Sequence, residues 1–155
     1  MIHTAGLFLM RKDNRFLIGH PTNNKPNLWG IPKGQLDENE VPLEAAFREM
    51  FEETNLNLKG DINFDIYPLK EKLYKNNKKI LHPFLLVEKK ESTIIWDDLE
   101  IKCNSKVAPE IGDFYEMDDF KWITLDDARL ILHQTQIDCL DEIYNILNNS
   151  SLTSL

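Results

Sequence analysis

The segment from residue 34 to residue 56 constrains the fold most, because it combines the pattern of a buried helix with a dense group of acids. Its apolar residues recur at the spacing of one helical face: Leu43, Ala46, Phe47 and Met50. Pro42 suits the first turn of a helix, and Asn55 tolerates the left-handed conformation that often ends one. We therefore expect a helix over residues 42–54 whose apolar face packs against a sheet.

Three glutamates of the same segment should lie close together. Glu49, Glu52 and Glu53 are related by i, i+3 and i+4, so they share one face and one turn of the helix. Like charges at this spacing repel unless a cation neutralises them, and Mg²⁺ prefers such oxygen ligands. The pattern favours a Mg²⁺ site, with Mn²⁺ as an alternative ion. For the glutamates alone, a solvated acidic surface is the competing interpretation.

The charge balance limits the partners of the chain. Acidic residues outnumber basic ones by 26 to 18, for a formal net charge of −8. This charge disfavours non-specific binding to the phosphate backbone of genomic DNA or RNA. A small nucleotide or polyphosphate remains compatible with it if divalent cations lie between the carboxylates and the ligand.

Length and apolar content favour one domain. The chain has 155 residues and is 42% hydrophobic, so we expect a single domain over residues 1–148 and a flexible tail over residues 149–155. Cys103 and Cys139 lack the spacing of a zinc or redox motif and are expected to be reduced. Without an apolar run long enough for a bilayer or a leader-like amino terminus, we expect a cytoplasmic protein with no membrane partner. Monomer and homodimer both stay open.

The rest of the chain alternates between strand-like and helical patterns. Residues 4–18 and 62–88 each predict a hairpin, residues 28–32 an extended segment, and residues 120–123 another strand. Thr124 or Asp126 can cap a helix that reaches His133, and an apolar stripe over residues 137–147 predicts a last helix. Together these patterns indicate an α/β fold with a mixed sheet flanked by helices.

The polar spacing of residues 34–56 resembles the box of the Nudix (MutT-like) hydrolase family. That box reads Gly, five residues, Glu, seven residues, Arg-Glu, an aliphatic residue, any residue, Glu-Glu, any residue, Gly and an aliphatic residue. Here it begins at Gly34, and Asn55 replaces the second glycine, a mild departure because Asn also takes the left-handed conformation. The resemblance implies an α/β/α sandwich with a mixed β-sheet between helices.

The resemblance also implies roles for individual residues. Glu49, Glu52 and Glu53 would be catalytic metal ligands, and the carbonyl of Gly34 would be a further ligand. Arg48 would pair with a neighbouring glutamate and orient it, while Glu40 would brace the loop. A glutamate would act as general base toward a metal-activated water. This base is one of the box residues or a later acid: Glu100, Glu110, Glu116 or Asp118.

Three residues outside the acid triplet are candidates for binding substrate. Lys33 could hold a phosphate, although an exposed lysine is as often only solvated. Trp29 could line the site, although core packing is common for such a residue, and Tyr74 could stack on a base or pack. His133, Gln136 and Asp141 lack a nucleophile signature, so surface or helix-end roles are favoured for them.

Hydrolysis of a phosphoanhydride bond in a nucleoside diphosphate derivative is the function that these features predict. The run Trp29 to Gly34 is close to one found in dinucleoside polyphosphate hydrolases of the family, and a nucleoside triphosphate or nucleotide sugar is also compatible. A catalytically silent nucleotide sensor is the alternative, but such domains commonly lose box carboxylates. An isomerase of the same fold would have an altered box.

Overall fold

A mixed β-sheet forms the centre of the molecule, which we describe from a computed structural model over residues 1–149 and 154–155. The seven strands are β1 (Ile2–Met10), β2 (Arg15–Pro21), β3 (Lys33–Gln35), β4 (Phe64–Pro68), β5 (Lys72–Tyr74), β6 (Lys79–Glu88) and β7 (Met117–Thr124). The helices are α1 (Pro42–Thr54), α2 (Leu125–Ala128), α3 (Gln134–Ile137) and α4 (Leu140–Leu147), with a short 3₁₀ turn at Trp96–Asp98.

The strand order places β1 in the middle of the sheet. The main order is β4-β6-β1-β2-β7, while β3 pairs with β1 and β5 pairs with β6. The β1 and β6 strands are parallel, and the other named pairs are antiparallel. Both predicted hairpins are present, and the sheet is mixed as expected.

Alternate residues of β1 point to opposite faces, so the strand contributes to two cores. One core packs α1 against the sheet and includes Ala5, Leu7, Leu9, Ala46 and Met50. The other packs the carboxy-terminal helices against the opposite face and includes Phe8, Met10, Ile31, Leu140 and Ile143. Helices on both faces of a mixed sheet give the α/β/α sandwich predicted from the sequence.

Helix α1 has the predicted bounds. Val41 precedes it without a side-chain cap, and Pro42 occupies its first turn. Asn55 ends it with φ 69°, in the left-handed region, and its backbone N–H donates to the carbonyl of Phe51. Asn55 therefore adopts the left-handed conformation that a glycine would adopt at this position of the box.

Two local expectations need correction. The helix that begins after Thr124 ends at Ala128 rather than His133, and the last apolar stripe is divided into α3 and α4. In the segment 28–32, which the sequence predicts to be extended, Trp29 and Gly30 form isolated bridges with Leu132 and Gly19.

The end of the chain differs in part from the predicted tail. Ser154 and Leu155 hydrogen bond to the backbone of Ile66 on β4, so these two residues lie against the sheet edge. Residues 150–153 of the predicted tail lie outside the described residues. Over the part of the chain that the structure describes, no helix combines the length and apolar character that crossing a bilayer requires.

The two cysteines are free thiols in different surroundings. Cys139 is fully buried in the core between the sheet and α4, and this burial raises its pKa to about 12. Cys103 is half-buried, and its Sγ lies 3.8 Å from the carbonyl oxygen of Glu52 at the end of α1.

Candidate active site

Two glutamates of α1 are buried where the helix meets β3. Glu53 is 2% exposed and Glu49 is 8% exposed, one helical turn apart. The Oε2 atom of Glu53 accepts a hydrogen bond of 3.2 Å from the backbone N–H of Lys33. Because α1 buries its apolar face against the sheet, both carboxylates are held rigidly beside the strand that follows Pro32.

Burial and neighbouring negative charges raise the pKa of both carboxyl groups. For Glu53 the larger cause is removal from water, followed by the negative charge of Glu49. For Glu49 removal from water again dominates, opposed by its hydrogen bonds to Glu53 and Arg48 and reinforced by the charge of Glu52. Two adjacent buried carboxylates need a shared proton or a cation to be stable.

Arg48 supplies one positive charge to this group. Its Nε and Nη2 atoms each donate to a carboxylate oxygen of Glu40 at 2.9 Å, forming a two-point contact. Its Nη1 atom donates to Glu49 at 2.9 Å and to Glu52 at 3.1 Å. These bonds raise the pKa of Arg48, so it stays charged. The predicted pairing of Arg48 with neighbouring glutamates is thus present.

Glu40 braces the loop before α1, as expected. Its Oε1 atom also accepts a hydrogen bond from the backbone N–H of Asp37 at 2.9 Å. The Arg48 guanidinium and this backbone bond hold the pKa of the Glu40 carboxyl below its usual value.

Gly34 lies directly against the Glu49 carboxylate. A Cβ atom at this position would overlap the carboxyl group of Glu49. The first glycine of the box is therefore required by a close approach of backbone to acid.

The three helix glutamates are not equivalent. Glu49 and Glu53 are buried, whereas the side chain of Glu52 is 39% exposed and faces Arg48. Within residues 1–149 and 154–155, no three His, Cys, Asp or Glu side chains are arranged as ready metal ligands. Instead, the Nη1 atom of Arg48 hydrogen bonds to both Glu49 and Glu52. The donor set itself, oxygen atoms with excess buried negative charge, fits Mg²⁺.

A cavity of about 380 Å³ opens beside Glu53. Trp29, Lys33 and Tyr74 all line it, so the structure brings the three predicted substrate-binding residues together. The Nζ atom of Lys33 lies 5.7 Å from the centre of the Tyr74 ring. An aromatic, partly apolar cleft with a few charged groups has the size and character of a small-molecule site.

Trp29 is half-buried, and three contacts fix its position at the rim of this cavity. Its Nε1 atom donates to the carbonyl of Pro26 at 2.9 Å. The Nζ atom of Lys121 lies 4.2 Å from its ring centre, and the ring of His20 lies 5.3 Å away. Trp29 is therefore a wall of the cavity rather than a core residue.

Among the later acids, Glu116 is the one whose charge affects a pKa in the buried pair. Its charge contributes to the raised pKa of Glu53. Its own pKa is raised by burial and then by the charge of Glu52, against a hydrogen bond from Ser105. Two of the other candidates have different partners, since Asp118 pairs with His20 at 2.7 Å and Glu100 pairs with Lys102.

Two cavity residues were given only surface or helix-end roles by the sequence. His133 does cap α3, with its Nδ1 accepting from the N–H of Thr135, yet it also lines the cavity. Gln136 is almost fully buried in the same wall. Its spacing to Cys139, Leu140 and Ile143 places it within the buried helical stripe. A polar residue inside an apolar stripe was the signal that could have identified it.

Comparison of the sequence with known proteins identifies a family. The sequence model of the NUDIX domain matches residues 2–143. An RNA pyrophosphohydrolase of Pelagibacter ubique is 37% identical over 52 residues, which cover 34% of this chain and 33% of that protein. An RNA pyrophosphohydrolase of Baumannia cicadellinicola is 30% identical over 105 residues, or 64% of this chain and 63% of that protein. The alignments thus span less than two thirds of either relative.

A solved structure supports the same architecture. A binary complex of a C. elegans Ap4A hydrolase superposes with a TM-score of 0.66 at 22% identity, covering 94% of this chain and 98% of that one. At this identity the likeness shows the fold. The names of these proteins agree with the class of enzyme predicted from the sequence.

Proposed function

This chain belongs to the NUDIX family, and from that premise we propose that it hydrolyses a pyrophosphate bond in a nucleotide derivative with the aid of Mg²⁺ or Mn²⁺. The observation that carries this proposal is the buried pair of Glu49 and Glu53 at the edge of an aromatic cavity. Such a pair is unfavourable in a purely structural role, because each charge lies in a low-dielectric environment beside another of the same sign.

Glu49, Glu52 and Glu53 would hold the metal, with the carbonyl of Gly34 as a further ligand. The metal would lower the pKa of a bound water and neutralise charge on the phosphate oxygens. Arg48 keeps its charge and orients Glu49 and Glu52 through hydrogen bonds, so it acts as a positioning residue. Rigid placement suits phosphoryl transfer, where positioning and charge neutralisation dominate.

Glu116 is the acid outside the box that best fits the role of general base. Burial raises its pKa, which brings the carboxylate closer to the basicity that proton transfer near neutral pH requires. It would accept the proton of the attacking water, and its mutual repulsion with Glu52 and Glu53 would favour that transfer.

The cavity supplies binding groups for a nucleotide. Lys33 is the first residue of β3 and its backbone N–H contacts Glu53, so its ammonium group can neutralise a phosphate oxygen next to the acids. Trp29 and Tyr74 offer aromatic surfaces for the rest of the ligand.

The substrate class has two candidates. The Trp29 to Gly34 run and the likeness to an Ap4A hydrolase favour a dinucleoside polyphosphate. The names of the curated relatives favour the 5′ end of an RNA chain. The net charge of −8 opposes contact with a long phosphate backbone, so we place the dinucleoside polyphosphate first.

Turnover of a substrate panel would test the proposal. The panel contains dinucleoside polyphosphates, nucleoside triphosphates, ADP-ribose, nucleotide sugars and a short 5′-triphosphate RNA, each with Mg²⁺, Mn²⁺ or EDTA. We expect metal-dependent turnover that Glu52→Gln and Glu53→Gln abolish. Glu44→Gln on the exposed face of the same helix is the matched control and should leave turnover unchanged. Tight nucleotide binding without turnover on any compound would support the silent sensor instead.

A further inference from the structure

The side chain of Gln136 is held in one orientation at the wall of the cavity. It is 2% exposed, and its Oε1 atom accepts a 2.9 Å hydrogen bond from the backbone N–H of Ile31. A backbone N–H can only donate, so the amide oxygen has to face Ile31 and the Nε2 group has to face away. Within the described residues, this Nε2 group has no hydrogen-bond partner.

A glycine allows the Gln136 amide to reach the cavity. A Cβ atom at Gly30 would lie 3.2 Å from Nε2, tighter than nearly all such contacts. Gly30 and Gln136 both line the cavity. The result is a buried amide that turns its Nε2 donors away from Ile31, while its oxygen accepts from Ile31.

His133, three residues before Gln136, also lines this cavity. Its Nδ1 atom accepts from Thr135, so in the neutral ring the proton lies on Nε2. Burial and the nearby charges of Lys33 and Lys75 lower the pKa of His133, which keeps the ring neutral. Its ring meets Tyr74 edge-on, with the ring centres 6.4 Å apart.

The part of the cavity wall that contains Gln136 is connected to the acids by a short stretch of chain. Ile31 bonds to Gln136 and Lys33 bonds to Glu53, and two residues of extended chain span about 7 Å. This separation suits a nucleoside whose phosphate lies at Glu53 and whose base lies between Trp29, Tyr74 and Gln136.

We propose that Gln136 selects a 6-oxopurine, guanine or hypoxanthine, over adenine in this cavity. Guanine presents two adjacent acceptors, O6 and N7, which match the donors of Gln136 and His133. Adenine places an amino group where guanine has O6, so a donor would face the Nε2 donor of Gln136. The placement of the base rests on the proposed function, because it takes the Glu53 end as the phosphate end.

Binding of monophosphates separates base selection from catalysis. Titration calorimetry in EDTA with GMP, IMP, AMP and purine riboside monophosphate should give affinities for GMP and IMP that are about tenfold or more above those for the other two. Equal affinities for GMP and AMP would overturn the inference, whether or not the enzyme turns over a substrate. A clear preference in a protein that hydrolyses nothing would leave the inference intact and overturn the proposed function.

Variants of Gln136 assign the preference to this side chain. Gln136→Met keeps the length of the side chain and removes both donors, so the preference for GMP should disappear. Gln136→Glu keeps an oxygen that accepts from Ile31 but lacks the Nε2 donors. It tests the same loss of preference if the Met variant does not fold. Gln134→Met, on the exposed part of α3, is the control and should retain the preference. Full retention in a folded Gln136 variant would refute the role of this residue.

Discussion

Arg48 acts as the cation of the acidic cluster when no metal is bound, so replacing it with Met should destabilise the protein. The side chain is 26% exposed, and it donates to Glu40, Glu49 and Glu52 and to the carbonyl of Gln35. Arg48→Met would leave two largely buried carboxylates without their partner.

The expected loss in the free energy of unfolding is about 3 kcal/mol, at the lower end for breaking a buried ion pair because Arg48 is partly solvated. For a domain of this size, that loss corresponds to a decrease in melting temperature of about 6–12 °C. The bonds share one guanidinium group, so their individual contributions cannot be added.

Urea denaturation in EDTA, at several pH values, would measure this loss. Arg48 lowers the pKa of Glu40, so the stability contributed by Glu40 is present above its ordinary pKa of 4.5 and is lost as the pH falls through the lower pKa of the folded state. The difference between wild type and Arg48→Met should therefore shrink in acid. Adding Mg²⁺ should stabilise the variant more than the wild type, because the ion replaces the missing charge.

Arg129→Met is the matched control, since Arg129 pairs with an exposed aspartate, Asp141. It should cost less than about 1 kcal/mol. An equal loss in the two variants, or a difference between wild type and Arg48→Met that does not depend on pH, would refute this account of the cluster.

Three further substitutions test the site and its helix. Glu53→Gln should stabilise the metal-free protein at neutral pH. The pKa of Glu53 is raised in the folded protein, so its ionisation costs stability as the pH rises above 4.5 towards the folded-state pKa. Urea melts in EDTA that show no gain in the free energy of unfolding would contradict this. Asn55→Ala should lower the free energy of unfolding by about 1–2 kcal/mol, because alanine, unlike asparagine, disfavours the left-handed φ of 69°. Asn55→Gly is the control in the same urea melts. Gly34→Ala should reduce turnover strongly and cost about 1–3 kcal/mol, because its Cβ atom would displace the Glu49 carboxylate; unchanged kinetics would show that this contact is dispensable.

The helix and its acids were predictable because local rules determine them. The 3.6-residue period predicted the bounds of α1, and the tolerance of Asn55 for the left-handed conformation predicted where the helix ends. The pairing of Arg48 with a neighbouring glutamate came from the resemblance to the Nudix box, and the structure shows bonds to Glu49 and Glu52. The wall of the cavity could not be derived in this way, because Gln136 meets Ile31 across 105 positions of the sequence.

Burial also divided residues that the sequence treated alike. The three glutamates of α1 have the same chemistry and share one helical face. Packing against the sheet and β3 buries Glu49 and Glu53 and leaves Glu52 half-exposed. The same limit applies to the later acids, where the fold rather than the spacing brings Glu116 within the electrostatic influence of Glu53.

The contrast between the two thiols makes the chain suitable for selective chemical labelling. Cys139 has no solvent exposure and a pKa of about 12, so it offers almost no thiolate to an alkylating reagent at neutral pH. Cys103 is half-buried and lies beside the last turn of α1, 3.8 Å from the carbonyl oxygen of Glu52. A maleimide or nitroxide reagent should therefore react at Cys103, where a spectroscopic probe would report on metal and nucleotide binding without an engineered cysteine.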